Sequence, residues 1–374
     1  MKPTILFVAQ PDEKSEIIHS KTFQDRFECL HHEVTTKESL YKFLKDHSKS
    51  HKIVAIYGGY PAFHPLGGLT REIIYNEWFP RDTLQCLALC SRGYNGFDLE
   101  ALRENGIMLF NFQDQVCDKD SERDQGGNDV ADCVLWHVLE GFRKFSFQQE
   151  ILRADGDTFV ARNHGAMKND NSWEFGHRLS NDNSLLVQSP RGKKCLILGF
   201  GSVGQQIAYK LHHGLGMQIH YCRRTEPQIP DPNGWIYHNF DDKLKTKLRQ
   251  FSVIVVALPG NSDTHHLIDS EFLSHCDGPN LTLINVGRGS IVNSDDIQSA
   301  LQQRQLRHFG ADVFYREPKV DQMLLQEHKL VSITPHLGSS TEEVFYQSCE
   351  LALRNIIECL DGSLSDVGKA SRIV

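Results

Sequence analysis

Three short segments in the last quarter of this 374-residue chain carry side chains suited to acid–base and electrostatic chemistry. Asn285-Val286-Gly287-Arg288-Gly289 follows the apolar stretch Leu281 to Ile284, which puts Arg288 at a strand's carboxyl end. Ala311-Asp312-Val313-Phe314 leads into Arg316-Glu317-Pro318, and Val331-Ser332-Ile333 leads into Thr334-Pro335-His336-Leu337-Gly338. A guanidinium stabilises charge that develops on an oxygen, and an imidazole delivers a proton near neutral pH. A neighbouring carboxylate favours the protonated form of that imidazole. A lone arginine is usually solvated and a lone histidine usually structural. Three such groups, each just beyond an apolar strand, are not explained so simply, because strand ends are where open α/β sheets bind ligands.

Upstream, the apolar run Lys194 to Leu198 enters Gly199-Phe200-Gly201-Ser202-Val203-Gly204. A helical stretch from Gln205 to Leu211 and a further strand, Met217 to Tyr221, follow. A bare G-x-G-x-x-G is weak evidence; in this strand–turn–helix–strand setting it predicts a dinucleotide-binding turn. Gly199 allows the tight turn, Gly201 lets pyrophosphate approach the backbone, and Gly204 lets the helix pack on the strand. Ser202 and Val203 open the helix whose N–H groups and dipole would face the phosphates.

About twenty residues past the third glycine, an NAD enzyme carries an acid for the ribose 2′-hydroxyl. Here stand Arg223-Arg224-Thr225. Two guanidinium groups can grip a 2′-phosphate that an acid would repel, so NADP(H) is expected ahead of NAD(H). The competing explanation is an exposed basic turn.

The elements that must position these groups alternate short apolar runs with amphipathic stretches, the pattern of an α/β protein with parallel sheets. Strands are predicted at Ile53–Tyr57, ending at Gly58-Gly59, at Leu84–Cys90, ending in Ser91-Arg92-Gly93-Tyr94-Asn95-Gly96, and at Ile107–Phe110. Residues 98–105 are expected to form a short helix stopped by Gly106, and residues 111–128 a loop. Asp129 is expected to cap the long apolar helix containing Val130, Ala131, Val134, Leu135, Val138, Leu139 and Phe142. Residues 155–183 form a second polar stretch.

Composition narrows the field. A net charge of −8 gives no support to a nucleic-acid-coating protein, and the first apolar run, Ile5 to Ala9, is too short for a secretory or membrane segment. The cytosol is the default location. Ten cysteines without a C-x-x-C then read as reduced thiols, and adjacent histidine pairs chelate poorly, so no metal is expected.

Together these motifs resemble the D-isomer-specific 2-hydroxyacid dehydrogenase family. The resemblance covers the Gly93 to Asp98 loop, the Val130-Ala131-Asp132 helix start, the glycine-rich turn and all three downstream segments. Arg223-Arg224-Thr225 is closest to the glyoxylate/hydroxypyruvate reductase branch. The resemblance implies that Arg288 holds the substrate's keto oxygen and carboxylate, that His336 is the general acid in reduction, and that Glu317 is its carboxylate partner. Asp312 would contact the nicotinamide amide. Leu258-Pro259, Thr264, Val286 and Gly287 would flank the cofactor, and backbone near Gly58, Gly59 and Gly93 would bind the substrate carboxylate.

The implied architecture is two Rossmann-like doubly wound domains with a cleft between them. Residues 1–128 and 340–374 would bind substrate, the latter as a single helix crossing back, with the dinucleotide domain, 129–339, inserted between. A homodimer through the helix near 130–145 is expected. Glu317 stands where the related formate dehydrogenases carry glutamine, and no long regulatory extension follows His336 as in the longer phosphoglycerate dehydrogenases.

Departures concern the substrate side. Gly58-Gly59 replaces the Arg-Ser of many relatives, and 60–83 and 111–128 exceed the compact family pattern. A small 2-keto acid is the expected substrate. The alternatives are an enzyme for a bulky or aromatic acid and a dinucleotide-sensing protein like the family's corepressor branch.

Overall fold

The computed structural model of the chain describes residues 2–112, 125–163, 176–179 and 186–374. It divides into two compact units, Met1–Gln125 with Ser340–Val374, and Gly126–Ser339.

The first unit holds a five-stranded parallel sheet of β1 (Pro3–Phe7), β2 (Glu28–His31), β3 (Lys52–Gly58), β4 (Cys86–Leu89) and β5 (Met108–Phe110), in the order β2-β1-β3-β4-β5. Its central strands are apolar on both faces, as a covered parallel sheet requires. Leu6, Ile56 and Leu87 point to one core, which also takes Phe63, Leu69, Ile73 and Phe79, so the 60–83 insertion is packed rather than draped over the surface. Ile5, Phe7, Tyr57 and Ala88 point to the other, closed by Cys349, Ala352, Leu353 and Ile356 of the helix Glu342–Leu360.

The second unit holds seven parallel strands: β6 (Lys194–Leu198), β7 (Gln218–Cys222), β8 (Ile236–His238), β9 (Val253–Val256), β10 (Thr282–Asn285), β11 (His308–Ala311) and β12 (Val331–Ile333). Their order is β12-β11-β10-β9-β6-β7-β8, so the direction of winding reverses between β9 and β6. The helix Gln125–Arg143 presents Ala131, Val134, Val138 and Phe142, at helical spacing, to a core shared with Cys195, Ile197, Val253 and Ile284. Among the described residues, no helix is long and apolar enough to cross a membrane.

Register does the positioning. Leu198 pairs with both Val256 and Cys222, Asn285 with Val256 and Ala311, and Ala311 with Ile333. The carboxyl ends of six strands therefore form one level row, and the loops that leave it begin at residues 199, 223, 257, 286, 312 and 334.

Three local expectations are corrected. Asp129 does not cap its helix, which starts a turn earlier at Gln125. Residues 125–128 are accordingly helical rather than loop. Gly127 is buried there, and packing outweighs the roughly 1 kcal/mol per residue that glycine costs a helix. The C-terminal segment is two helices, Glu342–Leu360 and Asp366–Ser371, not one. Gly362, at φ 70°, takes the left-handed turn after the first, and the Ser365 side chain caps the second. Residues 113–124, 164–175 and 180–185, where two of the polar stretches were expected, lie outside the described residues.

Candidate active site

β6 is followed by Gly199, whose φ of 98° belongs to the left-handed region. A Cβ there would stand 2.5 Å from the Ala257 carbonyl oxygen, so this glycine lets the loops after β6 and β9 meet at the reversal of strand order. A Cβ on Gly204 would stand 2.1 Å from the Gly199 carbonyl oxygen, which fixes the close approach of helix and turn. Gly201 differs: apart from its chain neighbours, no atom of the described residues lies within 4 Å of the place a Cβ would take. It is also the N-cap of the helix Ser202–Leu215 and supplies no side-chain cap. Open space over a glycine, beside a helix start capped by no side chain, fits a pyrophosphate.

The flanking residues follow from the same row. Arg223, Arg224 and Thr225 leave the end of β7 and are exposed. Leu258 and Pro259 leave β9, and their loop is tied by the Thr264 hydroxyl, which donates to the Pro259 carbonyl at 2.7 Å and accepts from the Asn261 N–H at 2.9 Å. Gly287 is buried against that loop, and half-buried Val286 packs on the core.

Arg288, Glu317 and His336 all stand on loops of this edge. His336 Nδ1 lies 3.2 Å from Glu317 Oε2, while Glu317 Oε1 accepts the Phe314 N–H at 2.9 Å. The carboxylate is thus anchored before it orients the imidazole. The hydrogen bond to Glu317 raises the His336 pKa above its ordinary 6.5; Glu317 and Asp312 add to this charge effect, and burial and Arg288 oppose it. Burial would raise the Glu317 pKa, but the His336 bond, the Phe314 N–H and the charges of His336 and Arg288 together lower it.

Arg288 Nη1 donates to the Gly287 carbonyl at 2.7 Å. Its loop is stapled by buried Asn285, whose Nδ2 donates to the Arg288 carbonyl at 2.9 Å and whose Oδ1 accepts the Gly287 N–H at 3.1 Å. Asp312 performs a similar task for the histidine loop. It is 4 % exposed and accepts from the Thr334 hydroxyl at 2.6 Å and from the Leu337 and Gly338 N–H groups at 2.9 Å each. His336 itself has a φ of 52°, sparsely populated for a non-glycine residue, and the bonds to the next two amides hold it there.

The model for the D-isomer-specific 2-hydroxyacid dehydrogenase NAD-binding domain matches residues 160–338. Over its whole length the chain is 49 % identical to a protein assigned as a 2-hydroxyacid dehydrogenase in Saccharomyces cerevisiae, of which it covers 98 %. It belongs to the D-isomer-specific 2-hydroxyacid dehydrogenase family. Glyoxylate/hydroxypyruvate reductase B of Enterobacter agglomerans is 30 % identical over 75 % of this chain and 76 % of that protein. Among solved structures, Rhodotorula graminis D-mandelate dehydrogenase shares the fold, with a TM-score of 0.78 at 24 % identity over 96 % of this chain and 94 % of that one.

In this 2-hydroxyacid dehydrogenase, Gly58, Gly59 and Gly93 belong to the first unit. Gly58 pairs with Leu89, so the loops carrying Gly59 and Gly93 leave one edge of that sheet. The two glycines serve packing more than open access: a Cβ on Gly58 would meet Leu89 at 2.6 Å, and one on Gly59 would meet the Tyr57 ring at 2.9 Å. Sequence reasoning assigned no role to Asn285. Its place in N-V-G-R-G, the last residue of a buried strand, was the available signal, because a buried amide needs partners.

Proposed function

We propose that this enzyme reduces a small 2-keto acid of the glyoxylate or hydroxypyruvate type to the D-2-hydroxy acid, with NADP(H) preferred over NAD(H). The observation that carries the proposal is the His336–Glu317 pair, held on the same strand-end row as Arg288 and the open Gly201 turn. The 126–339 unit would hold the dinucleotide at Gly199, Gly201, Ser202, Val203 and Gly204. Arg223, Arg224 and Thr225 would take the 2′-phosphate. The 1–125 and 340–374 unit would hold substrate through backbone near Gly58, Gly59 and Gly93. When bound, the dinucleotide supplies a hydride to the keto carbon.

The chain's own groups answer the charge that results. Arg288 pairs with the substrate carboxylate and the oxygen that becomes negative, a contribution on the order of 3 kcal/mol for a well-placed donor. Glu317 accepts from His336 Nδ1 and so leaves Nε2 to give a proton to that oxygen. Asp312 has three of the roughly four acceptor sites of a carboxylate filled by the Thr334–Gly338 loop, which leaves one for the nicotinamide amide. The half-buried Leu135, Trp136 and Leu139 on the helix Gln125–Arg143 supply an apolar face for a homodimer, and the cytosol is the proposed location.

The test is NADPH oxidation by the purified protein with glyoxylate, hydroxypyruvate, pyruvate and phenylpyruvate, repeated with NADH. Turnover of a small acid with NADPH, lost in Arg288→Ala and His336→Ala, is the expected result. Cofactor binding without turnover of any acid would favour a dinucleotide sensor, and turnover of phenylpyruvate alone would overturn the substrate class.

A further inference from the structure

Beneath the His336 loop a line of polar side chains runs through the interior of the 126–339 unit. Lys144 Nζ lies 2.7 Å from His308 Nδ1, and His308 Nε2 lies 2.8 Å from Ser332 Oγ. The same Ser332 Oγ lies 2.7 Å from His137 Nδ1, and His137 Nε2 lies 3.4 Å from Thr334 Oγ1. The Thr334 hydroxyl then reaches Asp312 Oδ1 at 2.6 Å. Lys144, His308 and His137 are each 1 % exposed or less, and Ser332 6 %. None of these four takes part in the chemistry proposed above.

The direction of every bond follows from the Asp312 end. Asp312 accepts two backbone N–H groups, the posture of an ionised carboxylate, which has no proton to give. Thr334 must therefore donate to it, and its oxygen is left to accept. His137 must then carry a proton on Nε2; fully buried, the ring is neutral, so its Nδ1 accepts from the Ser332 hydroxyl. That spends the one proton of Ser332, so His308 must donate through Nε2 and accept at Nδ1 from Lys144. An amine has an N–H to give in either charge state. The reverse orientation would require Thr334 to donate twice. Cys133 agrees with this direction: burial pushes its thiol up to about 11, and its Sγ lies 3.5 Å from Thr334 Oγ1, which has a lone pair to spare.

We infer that Lys144, His308, Ser332, His137 and Thr334 form one oriented hydrogen-bond chain into Asp312, which fixes both histidines as neutral Nε2–H tautomers and positions the His336 loop. These are positioning residues: they act on His336 through the Asp312 carboxylate and the two amides it holds. The tautomer assignment stands on these hydrogen bonds together with the burial of both rings, which keeps them neutral, whereas the effect on turnover rests on the proposed function.

The experiment is a long-range ¹H–¹⁵N spectrum of ¹⁵N-histidine-labelled protein without ligand, with His137→Gln and His308→Gln used for assignment. Both histidines are expected as neutral Nε2–H forms, unchanged between about pH 5.5 and pH 8, the range in which a free imidazole titrates. An Nδ1–H tautomer or an imidazolium at either site overturns the chain. Thr334→Val removes the last hydroxyl. It should release His137 from its single tautomer and lower kcat/KM for the keto acid by up to about 10²-fold, as a catalytic group displaced by about 1 Å does. Thr334→Ser should restore both. A Thr334→Val enzyme as active as the parent overturns the positioning role. A parent protein that turns over no keto acid refutes the proposed function and leaves the spectrum to decide the chain.

Discussion

Two sets of histidine hydrogen bonds lie in the same unit and use opposite physics. His336 stands on the strand-end row with a side chain 49 % exposed, beside an anchored carboxylate, and its pKa is raised chiefly by that hydrogen bond. His137 and His308 lie within the unit and, among the described residues, no carboxylate stands against either ring. Burial pushes His137 down to about 3; burial first, then Lys144, His137 and Arg307, pushes His308 well below its ordinary value. An imidazole that must exchange a proton needs a charged partner and access. One that must hold a fixed geometry needs burial and neutral partners, because a neutral tautomer has one donor and one acceptor in set places.

The largest expected effect tests the outward set. His336→Gln keeps a polar side chain on the loop and removes the acid, and should lower keto-acid reduction by about 10²- to 10⁴-fold, the usual worth of general acid catalysis. Circular dichroism and the unfolding midpoint should be little changed. A variant that retains a tenth of the activity would end the assignment of His336 as the acid.

Ser332→Ala tests the inward set and should reverse that pattern. It strips a partner from His137 Nδ1 and from His308 Nε2 together, and two unsatisfied buried groups at about 1–3 kcal/mol each predict a loss of about 2–6 kcal/mol in urea unfolding. The parent protein should meanwhile lose stability as pH falls below about 6.5. Both histidines have depressed native pKa values, so the unfolded chain binds protons there that the native state does not. Unfolding free energy that is flat from pH 7 to pH 5 would contradict neutral, buried imidazoles.

The outward set was largely legible in the sequence and the inward set was not, for a physical reason. Arg288, Glu317 and His336 sit just past apolar strands, and strand ends in a parallel sheet share one edge, so order along the chain already implies proximity in space. Gly199, Gly201 and Gly204 carry their meaning in spacings of two and then three residues. His137, Lys144, His308 and Ser332 meet only because the helix Gln125–Arg143 and the Lys144 that follows it pack against β11 and β12 at a particular height, and no local pattern encodes that height. The helix start was misplaced because Asp129 is a good cap, while the burial of Gly127 that extends the helix is a tertiary fact. The second C-terminal helix was legible in Asp361-Gly362-Ser363, a turn signal that helical periodicity on either side obscured.

A smaller effect should separate cofactor choice from both sets. Arg223 and Arg224 are exposed on the row but distant in sequence from the reacting groups. The double variant Arg223→Ser, Arg224→Ser should lose about 10- to 100-fold in kcat/KM with NADPH, given about 1.5–3 kcal/mol for a charge-assisted hydrogen bond. Activity with NADH and thermal stability should hold. Equal losses with both cofactors would mean that the arginines shape the turn instead of selecting a phosphate.

The finest test is Glu317→Gln, which keeps the shape of the outward pair and removes its charge. Reduction needs the imidazolium, so kcat/KM for the keto acid should fall as pH rises through the His336 pKa. Glu317 is the chief cause that raises that pKa, through its hydrogen bond and its charge. Neutralising it must therefore move the alkaline limb to lower pH, by about one unit if the pair contributes about 1.4 kcal/mol. The opposite limb belongs to the carboxylate, whose lowered pKa keeps it ionised until the pH falls through that value. The pair thus exists in full only between a depressed carboxylate pKa and an elevated imidazole pKa. It should add little to stability in that window, because both side chains keep substantial exposure to water. An alkaline limb that stays in place in Glu317→Gln would mean that another group sets it, and the contrast between a charged outward histidine and two neutral inward ones would lose its first member.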